Sequence, residues 1–262
     1  MKYPGRIIKA GETDAAIVRA LKKQLNEALV LNSAALRLDP KDPTFGPKMI
    51  KAVKLFQTRH VDVEGRVLKQ DGQVGSLTWS ALFGAAAVPG SNASLDALLG
   101  RILQLASREE AKQVREVPAN SNRGPSVEGY LSRVGTPPGN PWCCAFVYWC
   151  FDEAAKAMGC QNPMVKTAAC LDHWNRSTAT RAKRIPASQA TGDPGLVKAG
   201  MVFIVDHGGG RGHTGLVEKV AGGLITTIEG NTDASKTREG GGVYRLVRKI
   251  SEINKGFIDY TS

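Results

Sequence analysis

Three side chains in this sequence have the types needed to break an amide bond by nucleophilic attack: a cysteine, a histidine and a carboxylate. The cysteine is Cys143, in the run Asn140-Pro141-Trp142-Cys143-Cys144-Ala145-Phe146-Val147-Tyr148-Trp149-Cys150. Asn140 is a good helix cap and Pro141 suits the first helical position, so the run predicts a helix with a thiol in its first turn. Free amides and the positive end of the helix dipole favour a thiolate there, the nucleophilic form of cysteine. The residues that follow are apolar on all sides, which predicts a helix buried nearly all round. A lone cysteine in such a helix reads as core packing. The residues downstream change that reading.

Thiol catalysis needs an imidazole to take the proton and a polar group on the other ring nitrogen to orient it. Residues 200–206 read as a buried strand, followed by a flexible glycine-rich loop at 207–212. A second strand spans 213–220, Ala221-Gly222-Gly223 signals a turn, and a third strand spans 224–229 before Gly230-Asn231. A three-residue turn with a left-handed glycine pairs Val220 with Leu224, His213 with Asn231 and Gly215 with Glu229. Paired residues share a face, so His213, Glu229 and Asn231 cluster, with Gly215 leaving room between them. A two-residue turn would slip the register by one and separate His213 from Glu229. Either Glu229 or Asn231 can orient the ring. A charged partner is expected to lower the Cys143 pKa and raise that of His213.

A buried helix with a cysteine at its tip is also how papain-like enzymes hold their nucleophile. Pro141-Trp142-Cys143, Gly212-His213-Thr214-Gly215 and Ile228-Glu229-Gly230-Asn231 resemble the CHAP family of papain-like peptidoglycan amidases and endopeptidases. Further pieces resemble it as well: Asn122-Arg123-Gly124 ahead of Tyr130-Leu131, then Asp172-His173-Trp174 and Arg238-Glu239-Gly240. The resemblance extends over roughly residues 95–260. It implies that Cys143, which follows the aromatic Trp142, is the nucleophile, although Cys144 stands where the family has a small residue. It implies no cofactor, and it implies peptidoglycan as partner, cut at the muramoyl–L-alanine bond or at a peptide crosslink.

The first ninety residues carry a different pattern. Residues 13–31 have a helical stripe of Ile17, Leu21, Leu25 and Ala28, broken at Leu36-Arg37-Leu38-Asp39-Pro40. Thr44-Phe45-Gly46-Pro47 opens a second helix with Met49, Ala52, Val53 and Phe56. Asp71-Gly72-Gln73-Val74-Gly75 forms a turn, its two glycines serving backbone geometry, and Ser76-Leu77-Thr78-Trp79 opens a third helix. Phe56-Gln57 and the stretch from Asp71 to Trp79 resemble the peptidoglycan-binding three-helix module. The small residues of 84–93 read as a linker, after which Ser94 caps a helix over 95–117. Asn122 reads either as a substrate contact or as a turn residue.

These readings combine into an expected α+β fold. A small all-α bundle over 1–86 and a linker over 87–93 precede a papain-like domain over 94–262, with a central helix on an antiparallel sheet. Hydrophobic content of 42% and charge of 23% place the chain among ordinary soluble globular proteins, and no run is long enough to span a membrane. The net charge of +11 points to acidic partners. Nucleic acid is not the expected one, because aromatics are 6% and no basic helix with interleaved aromatics occurs. A bacterial envelope is anionic and fits the charge. The five cysteines at 143, 144, 150, 160 and 170 do not form a disulfide framework, and no zinc-ligand spacing occurs.

The expected activity is thiol hydrolysis of the cell wall with lysis, by a monomer that carries Cys143, His213, Glu229 and Asn231. The opening residues lack the apolar stretch of a secretory signal. Synthesis in the cytoplasm and release to the wall through a holin or another leaderless route is therefore expected, as for an endolysin. Two alternatives remain. One is a zinc-dependent wall amidase using His207, His213 and a cysteine, and the other is a non-catalytic wall-binding protein.

Overall fold

A computed structural model of the protein describes residues 1–31, 37–94, 96–180, 182–237 and 240–261. Leu36, Leu95, Arg238 and Glu239, which entered the expectations above, lie outside them. The chain divides into two compact units. The first is Met1–Gly90 together with Thr191–Gly195 and Ala221–Gly223, and the second is the remainder. No described helix is long and apolar enough to cross a membrane.

The first unit contains α1 (Ala15–Ala28), α2 (Pro47–Arg59) and α3 (Ser76–Phe83). Asp14 caps α1 by accepting from the N–H groups of Ala16 and Ile17. The stripe closes on a core of Leu21, Leu25, Met49, Val53, Phe56 and Trp79. Gln57 does more than its place in a sequence motif suggests. Its amide nitrogen donates to the Gln73 carbonyl at 2.8 Å and its amide oxygen accepts from Gly72 N–H at 2.9 Å, so it clamps the turn before α3. Gly72 is left-handed at φ 75°, and a side chain there would meet Ile50 at 2.8 Å. Gly75 has an ordinary φ of −85°, contrary to the expectation for both glycines. Ala87 and Val88, read from the sequence as linker, belong to this core.

The second unit is α+β. Its helices are α4 (Ala97–Ala111), α5 (Pro125–Arg133), α6 (Cys143–Met158), α7 (Cys170–Arg176) and α8 (Ala187–Gly192). Its strands are β1 (Lys183–Pro186), β2 (Val202–Gly208), β3 (Arg211–Ala221), β4 (Leu224–Thr232), β5 (Gly242–Lys249) and β6 (Gly256–Asp259). They form one sheet in the order β1-β6-β2-β3-β4-β5. α4 is shorter than the helix expected over 95–117. It is capped by Asp96, which accepts from Leu99 N–H, and it ends where Gln113 turns left-handed. Arg115 then bridges to Gly242 as extended chain.

The sheet has two apolar faces. Val202, Ile204, Leu216, Ile228 and Ile258 join the cluster around α6, while Phe203, Val205, Val217, Ile225 and Phe257 form a second cluster. That split follows the period of two in a strand. Val220 departs from it, sharing the second cluster with Val217 three residues earlier. The β3–β4 turn has two residues, Gly222 and Gly223, with φ of 60° and 86°, not the expected three. Gly215 nevertheless faces Glu229: a side chain at Gly215 would lie 2.7 Å from the Glu229 Cγ. The β2–β3 loop is also tighter than expected. Gly208 pairs with Arg211 across a turn of Gly209 and Gly210, both left-handed.

Candidate active site

α6 begins at Cys143, two residues later than its sequence predicts. Trp142 flanks it without a side-chain cap, and Asn140 instead donates to the Pro137 carbonyl. The first helical bond runs from Phe146 N–H to Trp142 C=O, which leaves the amides of Cys143, Cys144 and Ala145 without acceptors in the helix. Trp142 is fixed from behind: its indole N–H donates to Glu116 at 2.8 Å, and the other Glu116 oxygen accepts from Asn122 N–H. Asn122 is left-handed at φ 54°, the turn residue of its two expected roles. A glycine at the far end of α6 closes it, Gly159 in the left-handed conformation.

Cys143 lines a cleft of about 300 Å³ with Thr136, Asn140, Cys170, Arg211 and the glycines beside Arg211. Cys144 does not line it. The Cys144 thiol is fully buried and donates to the Thr167 carbonyl at 3.4 Å. The structure thus separates the two adjacent thiols by environment.

His213 Nε2 lies 2.8 Å from Glu229 Oε2, and both residues are buried. Its other ring nitrogen, Nδ1, has no hydrogen-bond partner among the described residues. Nδ1 is therefore the nitrogen free to serve Cys143, whose interaction with the ring acts on both groups. Burial alone would lower the His213 pKa, but Cys143 and Glu229 outweigh it and lift it to about 9.

Sequence reasoning missed what holds Glu229. Arg248 on β5 meets it with Nε on Oε1 and Nη2 on Oε2, each at 2.7 Å, and the Thr227 hydroxyl also donates to Oε1. Burial would raise the Glu229 pKa, but Arg248 and then His213 overcome it and hold it at about 2. The one available signal was the phase of Arg248, which shares its strand face with buried Leu246.

Asn231 does not orient the ring. It is left-handed at φ 56° and buried, and neither its amide nitrogen nor its amide oxygen has a partner among the described residues. The β4–β5 register is irregular between Glu229 and Thr232, which takes Asn231 out of the alternation assumed for it.

The thiol also departs from expectation. The Cys143 sulfur lies 3.4 Å from that of Cys170, which no motif in the sequence singles out. That contact, followed by burial, pushes the Cys143 pKa up, while His213 pulls the other way.

His173 pairs with a different residue. It is buried in α7, with Nε2 2.6 Å from the Tyr260 hydroxyl and its pKa lowered to about 4 by burial. His207 is exposed at the end of β2 whereas His213 is buried. Among the described residues no three His, Cys, Asp or Glu side chains are gathered as metal ligands would be.

Residues 135–231 match the CHAP domain family. The match contains Cys143, His213, Glu229 and Asn231 and stops short of Arg248. No curated protein and no solved structure matches the chain.

Proposed function

We propose that this CHAP-domain chain hydrolyses an amide bond in the peptide part of peptidoglycan, with Cys143 as nucleophile. The CHAP domain is that of a peptidoglycan hydrolase family, so the coarse activity and substrate follow from the match. The finer reading rests chiefly on one observation: His213 has Nε2 fixed by Glu229 and Nδ1 without a partner among the described residues, beside a thiol that opens on a cleft.

The chemistry follows from these positions. Once the Cys143 proton has passed to His213, the thiolate attacks the amide carbonyl. The free amides at the start of α6, that of Cys143 included, stabilise the developing oxyanion. His213 then donates its proton to the departing amine, and water, deprotonated by His213, releases the acyl group. Glu229 keeps the ring oriented and supports its charge throughout. In the same reading, the first unit tethers the enzyme to the polymer and raises its effective concentration there.

The test is digestion of purified sacculi followed by mass analysis of the soluble fragments. New termini at muramoyl–L-alanine or at a crosslink, blocked by a thiol reagent and by Cys143→Ala but not by a chelator, are the expected result. Inhibition by the chelator, or fragments that persist in Cys143→Ala, would overturn it.

A further inference from the structure

Cys143 and Cys170 come from different elements, the first residue of α6 and the first residue of α7, and their sulfurs touch at 3.4 Å. Both are free thiols, and both line the same open cleft. A disulfide bond is about 2.05 Å long, so joining them needs an approach of about 1.4 Å, within the reach of small side-chain and helix-end adjustments. The third nearby thiol, Cys144, also reaches Cys170, but it donates to the Thr167 carbonyl and, unlike Cys143, does not line the cleft. Glycines keep the approach to the pair open. A side chain at Gly212 would lie 3.0 Å from the Cys170 Cβ, and Gly210 in the same wall has no atom near its missing Cβ.

We propose that Cys143 and Cys170 are a modification site, a dithiol that a peroxide converts into a reversible disulfide and so switches the hydrolase off. The Cys143 thiolate attacks one peroxide oxygen and breaks the O–O bond, giving a sulfenic acid and, for hydrogen peroxide, hydroxide that takes up the released proton as water. The Cys170 sulfur then attacks the sulfenic sulfur, and the S–O bond breaks with loss of a second water. Two thiols are oxidised by two electrons and one peroxide is reduced. A small-molecule thiol reverses the bond by exchange. The loss of activity rests on Cys143 being the nucleophile, whereas the covalent link does not.

The experiment treats the full-length protein with hydrogen peroxide, blocks remaining thiols by alkylation, and maps peptides without reduction. The expected result is a peptide pair joined through Cys143 and Cys170. Release of soluble wall fragments should fall at least tenfold and return with dithiothreitol. In Cys170→Ala the joined pair is absent, and Cys143 proceeds to sulfinic acid that dithiothreitol does not reverse. A link through Cys144 in place of Cys143, direct over-oxidation of Cys143 in the unaltered protein, or dithiothreitol-reversible loss in Cys170→Ala would each overturn the proposal. If the joined pair forms in a protein that releases no wall fragments before treatment, the proposed function fails while the dithiol assignment stands.

Discussion

Arg248 grips Glu229 with two parallel hydrogen bonds of 2.7 Å, and it does so beneath the carboxylate's contact to His213. The carboxylate that orients the imidazole is thus a shared anion between two cations. All three side chains are buried, so the arrangement holds only while each charge is matched.

Removing one charge should therefore be costly. Glu229→Gln keeps an amide able to orient His213 but leaves Arg248 buried beside a neutral group. A loss of about 3–5 kcal/mol in urea unfolding is expected. Arg248→Met in the same background should restore part of it. If Glu229→Gln unfolds at the same urea concentration as the unaltered protein, the coupling is absent.

Stability should also depend on pH from both sides. The Glu229 pKa is held at about 2, below its ordinary 4.5, so its contribution is complete above about 4.5 and is lost as the pH falls through about 2. The His213 pKa is raised from 6.5 to about 9, so its contribution is complete below about 6.5 and is lost as the pH rises through about 9. Unfolding free energies measured across this range should form a plateau between 4.5 and 6.5 and fall on both sides. A steady rise up to pH 9 would contradict the His213 assignment.

The rate profile should report both members of the pair, with a basic limb from His213 near 9, while the contact with Cys170 and burial hold the Cys143 thiol up against the pull of His213. Cys170→Ala removes the leading cause of the raised thiol, so alkylation of Cys143 near neutral pH should quicken several-fold. An unmoved alkylation profile would mean that Cys170 is not what holds the proton.

How far this site could be read from the sequence depends on how local each part is. Cys143 and the order His213, Glu229 were legible because a buried helix tip and a hairpin are encoded by neighbouring residues. Gly215 was placed against Glu229 through a wrong turn length, since the hairpin turn has two glycines and not three residues. Arg248 and Cys170 were invisible because their partners lie 19 and 27 residues away on other elements. The β1–β6 edge was missed for a related reason: its strands have four residues each, too few to show a period.

The adjacent thiols should behave oppositely. Cys143→Ala should abolish release of wall fragments, whereas Cys144→Ala should retain most of it, because Cys144 faces Thr167 and not the cleft. Its cost should appear in stability instead, about 1 kcal/mol for losing a small buried apolar group. A Cys144→Ala protein that folds normally and releases nothing would move the nucleophile.

Asn231 separates structure from function most sharply. Among the described residues its buried amide has neither polar atom paired, a state that costs about 1–3 kcal/mol when nothing else satisfies it. Asn231→Ala should then leave the unfolding midpoint unchanged or higher. The rate on sacculi should fall about tenfold, the loss of about 1.4 kcal/mol that one neutral hydrogen bond to the reacting peptide would supply. Asn231→Asp is the control, since an unpaired buried charge should destabilise the fold where alanine does not. A drop in stability for alanine with no change in rate would make Asn231 a backbone device, chosen for its left-handed φ of 56° and for nothing at the reaction centre.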